Sequence, residues 1–410
     1  MSQPRPDSSD LAMPTGAHAQ RRASSVPLRI FAACTTSVVV AVNYTNYGPL
    51  IPLLGKELHI NGGQAGLLST FLFLGLAFMY IPAGALVDRF GPRPVLVGFS
   101  IVLVLGGVLL PIVPNLTWIL ACRMLIGFGA GGTFVAGAGV ASSLGKYAPV
   151  GQGLYGGSVQ IGSGLGLLLT PQLAAWFNWQ GAFLCWGLLG IASIAVWLLV
   201  DDGFKAHERQ KIDVRAGLRS PAVWSLGLSH MGTFGLGNAI AAWIAVYLAH
   251  QYGLSLGMAA TLGSIALLSG VFFRPLGGIL IARRIVGAIP LLRVGTILGG
   301  LGVLLLTLPL SFAPLTALGL AMIAFGSTTP YTSVFNEAAR IKGVGKGIAQ
   351  GLASMYSTPT ILLGPPLIGL LFNRSGSITL AFTVILPFSV VAIIASVLAG
   401  PAVRRETLAG

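Results

Sequence analysis

Acidic residues are scarce in this chain: 10 Asp and Glu stand against 24 Lys and Arg in 410 residues. The ten are Asp7, Asp10, Glu57, Asp88, Asp201, Asp202, Glu208, Asp213, Glu337 and Glu406, and none lies deep inside a hydrophobic stretch. Only Glu337 touches an apolar segment, near its end and beside Arg340, where an ion pair is the simpler reading. A proton-driven carrier built on an intramembrane carboxylate is therefore disfavoured, and exchange or facilitated diffusion gains weight. Cysteine is nearly absent. Cys34, Cys122 and Cys185 all fall within apolar runs, which excludes a disulfide framework and a Cys/His metal site. No nucleophile–base pair can be placed, so the chain is not read as an enzyme and no cofactor is expected.

What the chain has in abundance is apolar length. It is 54% hydrophobic and 8% charged, with a mean hydropathy of +0.85, which the surface of a soluble domain would not tolerate. Apolar runs recur from about Pro27 to Pro401 and divide into about twelve spans, each near the ~20 residues a bilayer requires. Among them are 152–177, 181–200 and 315–336. The first 27 residues are polar, rich in Ser, Pro and Ala, and lack an apolar core before a cleavage site. They read as a disordered cytoplasmic tail and not as a signal peptide.

The basic residues orient this array. With both termini in the cytoplasm, the outer loops hold only Lys56 and Arg374, and the spans hold only Arg123 and Arg274. Every other Lys and Arg falls on the cytoplasmic side, as the positive-inside rule requires. The net charge of +14 thus encodes topology. A nucleic-acid partner is excluded, because the positives are spread over separate short segments; the partner is the lipid bilayer.

The chain also repeats itself. A shift of 194 residues places Val150-Gly151-Gln152-Gly153 on Val344-Gly345-Lys346-Gly347, Pro171 on Pro365, and Gly84-Ala85-Leu86 on Gly278-Ile279-Leu280. One constant offset at distant places argues for a duplicated six-helix unit. The division is a tail at 1–27, a bundle at 28–200, a cytoplasmic linker at 201–220, a second bundle at 221–401 and a tail at 402–410. Two such bundles form a transporter architecture, all-α, with substrate held between the halves near mid-membrane.

Two arginines lie inside this apolar array. Arg123 sits roughly 12 Å from the outer end of its span and Arg274 roughly 12 Å from the cytoplasmic end of its own. An intramembrane charge costs at least ~2.5–3.5 kcal/mol, so each has a function or a partner. Without an internal carboxylate, the pair describes a site for an anion from outside. Arg123 can instead be read as a structural arginine, bonded to backbone carbonyls within its half.

The segment Gly84-Ala85-Leu86-Val87-Asp88-Arg89-Phe90-Gly91-Pro92-Arg93 resembles the G-x-L-x-D-R-x-G-R/K-R/K loop of the major facilitator superfamily. The resemblance covers nearly the whole chain after residue 27. It implies twelve transmembrane helices in two pseudo-symmetric bundles, no cofactor, a monomer in a plasma membrane (in bacteria the inner membrane), and alternating access. It also makes Gly84, Asp88, Arg89, Gly91 and Arg93 a conformational latch whose basic residues pair with acids across the halves. Arg123-Met124-Leu125-Ile126-Gly127 resembles the fourth-span R-x-x-x-G motif, and Arg274-Pro275-Leu276-Gly277-Gly278 resembles the eighth span of nitrate/nitrite porters and related anion carriers. There an arginine pair clamps the anion, whereas here the repeat puts Tyr80 opposite Arg274. One arginine plus a tyrosine hydroxyl fits a carboxylate or another monoanion better than nitrate.

His230 in the seventh span reads either as a proton carrier or anion ligand, or as a neutral core histidine. Asn43, Tyr44, Tyr47, Asn238 and Tyr356 are further cavity-lining donors, with Gln160 and Ser163 as weaker ones. The expected partners are a small anion and a coupled proton or counter-anion. The rival function is a proton-coupled drug or metabolite antiporter of the same superfamily. It is disfavoured by the missing proline in Gly162-Ser163-Gly164-Leu165-Gly166 and by the lack of an acid to bind a cation.

Overall fold

The computed structural model describes residues 24–144, 147–202 and 214–408, and among these there is helix and no strand. Ten continuous helical stretches are long and apolar enough to cross a membrane. One of them, Val150–Leu199, is broken at Asn178 (φ 57, ψ −177) and makes two spans, as the expected division near 178–180 requires. Another span, 313–338, is interrupted at Thr329-Pro330, because proline cannot donate to the preceding turn. Among the described residues the count is therefore twelve. We label them α1 (Val26–Glu57), α2 (Gly62–Phe90), α3 (Pro92–Ile112), α4 (Leu116–Ser142), α5 (148–177) and α6 (179–199). The second half holds α7 (Pro221–Tyr252), α8 (Leu256–Ala282), α9 (Ala288–Thr307), α10 (313–338), α11 (Ile348–Ser375) and α12 (Ile378–Thr407).

Helix is the form that satisfies every backbone polar group inside a bilayer. Large apolar side chains point outward, including Leu199 (84% exposed), Phe272 (76%) and Trp176 (72%), a surface stable only against lipid. Ends are capped by short polar side chains: Asn61 and Gln64 form a reciprocal capping box on α2, and Asn115 accepts from Thr117 and Trp118 on α4.

Two expectations shift. The stretch 402–407, expected as a tail, continues α12, and the Glu406 carboxylate accepts from Ser220 Oγ (2.5 Å) and Ala222 N (3.0 Å) at the start of α7. Val214–Arg219, expected as linker, is a short helix packed through Gly217 against Leu352 and Ile348. Lys205, Arg209 and Lys211 of the linker, and nearly all of the 1–27 tail, lie outside the described residues.

The two halves meet most tightly at the face away from the termini. There a Cβ on Gly48 would strike the carbonyl of Ala242, one on Gly369 the carbonyl of Gly62, and one on Gly66 the backbone of Pro365-Pro366. Thr70 Oγ1 donates to Leu362 O beside them (2.5 Å). Toward the termini, Gly84, Gly153, Gly157 and Gly351 meet nothing within 4 Å. The halves are thus sealed on one face and looser on the other. Gly369→Leu should disfavour the sealed arrangement by about 1–3 kcal/mol, through overpacking against backbone that cannot yield. A cysteine at Thr70 should then react faster with a maleimide than it does in the Gly369 background. An unchanged rate would mean that the α2–α11 contact is not what closes this face.

Candidate anion site between the halves

The side chains expected to meet at mid-membrane are divided by the structure into two groups. The first is a knot inside the N-terminal half. Arg123 is fully buried; its Nε donates to Leu68 O (3.0 Å), Nη1 to Asn46 Oδ1 (3.0 Å) and Nη2 to Asn43 O (3.0 Å). Its guanidinium lies 5.2 Å from the centre of the Tyr47 ring. Asn43 itself donates to Val39 O and accepts from Asn46 Nδ2, so both asparagines of α1 are engaged inside this half. The spacing of the R-x-x-x-G motif now has a physical reason. Arg123 reaches Leu68 O, while Gly127, one turn on, lies against Leu72 O, and Gly131 against Leu76 O. Successive turns of α4 sit on the carbonyls of successive turns of α2. Arg123, Asn43 and Tyr47 are therefore placed as interior contacts of α1, α2 and α4.

The second group is at the interface of the halves. Arg274 projects from α8, one turn after the helix is interrupted at Ser269, and is 4% exposed. It crosses to the other half, where Nη1 donates to Gly156 O of α5 (2.5 Å). Its guanidinium lies 4.3 Å over the Tyr331 ring, and its buried Nε has no partner. Tyr331 takes its place because α10 restarts after Pro330. Tyr44 of α1 is buried with its ring centre 4.9 Å from that of Phe73, and Tyr155 of α5 is buried with its hydroxyl donating to Phe134 O (2.8 Å). Tyr80, the residue expected to oppose Arg274, is partly buried on α2 and is not in the lining of the cavity beside Arg274.

A small cavity opens beside Arg274. Its lining includes Gln160 and Ser163 from α5, Asn238 from α7, and Ser327 and Thr328 from α10. Arg274 is the one charged side chain in that lining. The weaker sequence candidates Gln160 and Ser163 are thus at the site, whereas Arg123 is not in the lining. Asn238 is there, with Nδ2 donating to Phe234 O (2.9 Å).

His230 is buried next to a π turn, Met231–Gly235, with Nδ1 2.9 Å from Thr233 Oγ1 and its ring packed on Phe234, Phe335 and Tyr331. It touches the site through Tyr331. Tyr356 does not: it stacks on Trp224 at 3.9 Å in an apolar cluster with Ala222, Leu226 and Val334. Tyr331, Tyr155 and Gly156 were not anticipated. The run Ser327-Thr328-Thr329-Pro330-Tyr331, polar inside an apolar span, is the signal that marks the first of them.

Most of the latch segment lies among the described residues. Gly91 (φ 84) makes the tight passage from α2 to α3, a backbone conformation glycine adopts without strain. Arg89 is exposed and stacks on Phe90. Arg93 does not pair across the halves as expected. It bonds to Trp197 O (2.8 Å), Leu198 O (2.6 Å) and, through its backbone, Asp202 Oδ2 (2.8 Å), with Asp201 at 3.9 Å, all at the end of α6 and the first residues after it. The physical reason is proximity: α6 ends directly beside the start of α3. The Asp88 side chain lies outside the described residues, and Gly84 has open space around it.

The sequence profile of the Major Facilitator Superfamily matches residues 33–357. The chain belongs to that superfamily. It is 25% identical to a probable sulfoacetate transporter of Cupriavidus necator, over 86% of this chain and 88% of that one. It is 26% identical to a nitrite extrusion protein of Bacillus subtilis, over 81% and 84%, and 24% identical to a probable nitrate transporter of Staphylococcus haemolyticus, over 88% and 94%. Its fold is similar to that of a bacterial homologue of the human lysosomal transporter Spinster in an inward-facing and occupied conformation. The TM-score is 0.73 at 17% identity, covering 94% of this chain and 99% of that one. The protein is thus a multi-pass membrane transporter of this superfamily.

Proposed function

We propose that this transporter carries a small monoanion across the bilayer by alternating access, with Arg274 as the residue that binds it. The observation that carries the reading is the guanidinium itself. It is buried between the halves, lies over the Tyr331 ring, and shares its cavity lining with no carboxylate. The relatives named for sulfoacetate, nitrite and nitrate make the same class of cargo the natural one.

The Arg274–Gly156 bond ties α8 to α5, one helix from each half. An anion offers the guanidinium a better acceptor than a backbone carbonyl, because it adds an opposite charge and can accept two parallel N–H bonds from the planar fork. Binding therefore exchanges a tie between the halves for a neutralised site, and this differential interaction is what can shift the balance of states. Tyr80 and Tyr44 are hydroxyl donors from the opposing half, and Arg123 holds that half together. With both termini cytoplasmic, the sealed face is the outer one and the structure opens inward, as basic-residue placement favours. A cationic drug would find no countercharge in this lining. The test is uptake into proteoliposomes. Labelled nitrate or acetate should accumulate and exchange, while cations and neutral sugars should not; uptake of a cation with no anion uptake would end the reading.

A further inference from the structure

A second cavity adjoins the first, and its chemistry is different. Gly237, Leu267 and Ser327 line both. The rest of the second lining is apolar: Ile240, Ala241 and Ile244 from α7, Gly263 and Ala266 from α8, and Leu320, Ile323 and Ala324 from α10. On all three helices these residues lie farther from Arg274 toward the sealed face, by as much as about three turns on α8. On α8 the path from Arg274 to Gly263 covers 11 residues, roughly 16 Å at 1.5 Å per residue. Ile240 (3% exposed), Ile244 (2%), Ile323 (4%) and Ala324 (5%) are interior side chains. Protein interiors leave few voids, since unfilled space forfeits the contacts of every atom that lines it. Here the two linings share Gly237, Leu267 and Ser327, and the second is otherwise apolar.

We infer that the cargo is an amphiphilic organic monoanion: a head of carboxylate type at Arg274 and an apolar body extending between α7, α8 and α10. This rests on the anion reading above and narrows it. An inorganic oxyanion would fill only the first cavity. A dicarboxylate or an amino acid would place a second charge among Ile240, Ile323 and Ala324, where nothing could pair with it. Ser327 stands at the junction, so the body begins at that level.

The test is a binding series on the purified full-length protein with acetate, butanoate and hexanoate, and nitrate as the tail-less reference. Affinity should rise about two- to fourfold per methylene, the range set by burial of each CH2, so hexanoate should bind at least tenfold tighter than acetate. Arg274→Met should remove this binding, which separates it from partition of hexanoate into detergent. Ala324→Leu, and independently Ala241→Leu, should collapse the ratio of hexanoate to acetate affinity by filling the space. Two variants on different helices guard against one of them failing to fold. If acetate and nitrate bind through Arg274 and hexanoate binds no better, the inference fails and the anion reading stands. A hexanoate preference that survives both filling variants also overturns it. If none of the four anions binds, both fail together.

Discussion

Arg123→Ala is expected to lower the stability of the protein by about 2–5 kcal/mol, whether or not any anion is present. Three acceptors on two helices, Leu68 O, Asn46 Oδ1 and Asn43 O, would lose their donor in an interior without water. Hydrogen bonds in bilayers measure about 0.6–1.7 kcal/mol each, and an orphaned buried acceptor costs about 1–3 kcal/mol. Arg123→Lys should recover only part of this, because one ammonium cannot reach three acceptors from a single point. Thermal unfolding of the purified variants checks the claim. An Arg123→Ala protein that melts like wild type but no longer binds anions would make Arg123 a ligand after all.

Arg274 should behave in the opposite way. Arg274→Met is expected to leave the melting temperature of the anion-free protein unchanged or raised. It removes a buried guanidinium whose Nε has no partner, and replacing such groups by apolar ones is often neutral or stabilising. The same substitution should weaken anion binding by about 2–5 kcal/mol, roughly thirtyfold or more, because the anion would lose a desolvated charged partner. Arg274→Lys should fall between, keeping the charge and losing the planar fork. Uptake rates in proteoliposomes read the second effect, and melting curves read the first. Two arginines of similar depth thus separate by the sign of their effect on stability.

That separation could not be read from the sequence. Depth and cost identify both Arg123 and Arg274 as residues needing a partner, and the repeat directs attention to Tyr80 and to the eighth span. The partners of Arg123, however, are largely backbone carbonyls, and every residue has one. Only the docking of α4 on α2 decides that Leu68 and Asn43 supply them. Asn43 and Tyr47 were drawn toward the cavity by their polarity and belong to the same knot. Gly156 acts through its carbonyl and Tyr331 through its ring face, neither of which leaves a motif. Tyr356 misled because an aromatic near a helix break suits a lining position and a stacking position equally well, and Trp224 claims it. The twelve spans were legible because a bilayer imposes length and apolarity directly on sequence. The interruption of 313–338 was not, since Pro330 looks the same in a kink and at an end.

The most direct measurement titrates purified wild type and Arg274→Met with nitrate and with acetate while following thermal unfolding. A ligand that binds only the folded state stabilises it by about 2.7 kcal/mol at a hundredfold excess over its dissociation constant. Melting temperatures of the wild type should therefore climb with the logarithm of anion concentration, while those of Arg274→Met stay flat at matched ionic strength. Equal slopes in the two proteins, or stabilisation by cations or neutral sugars alone, would contradict an anion held at Arg274.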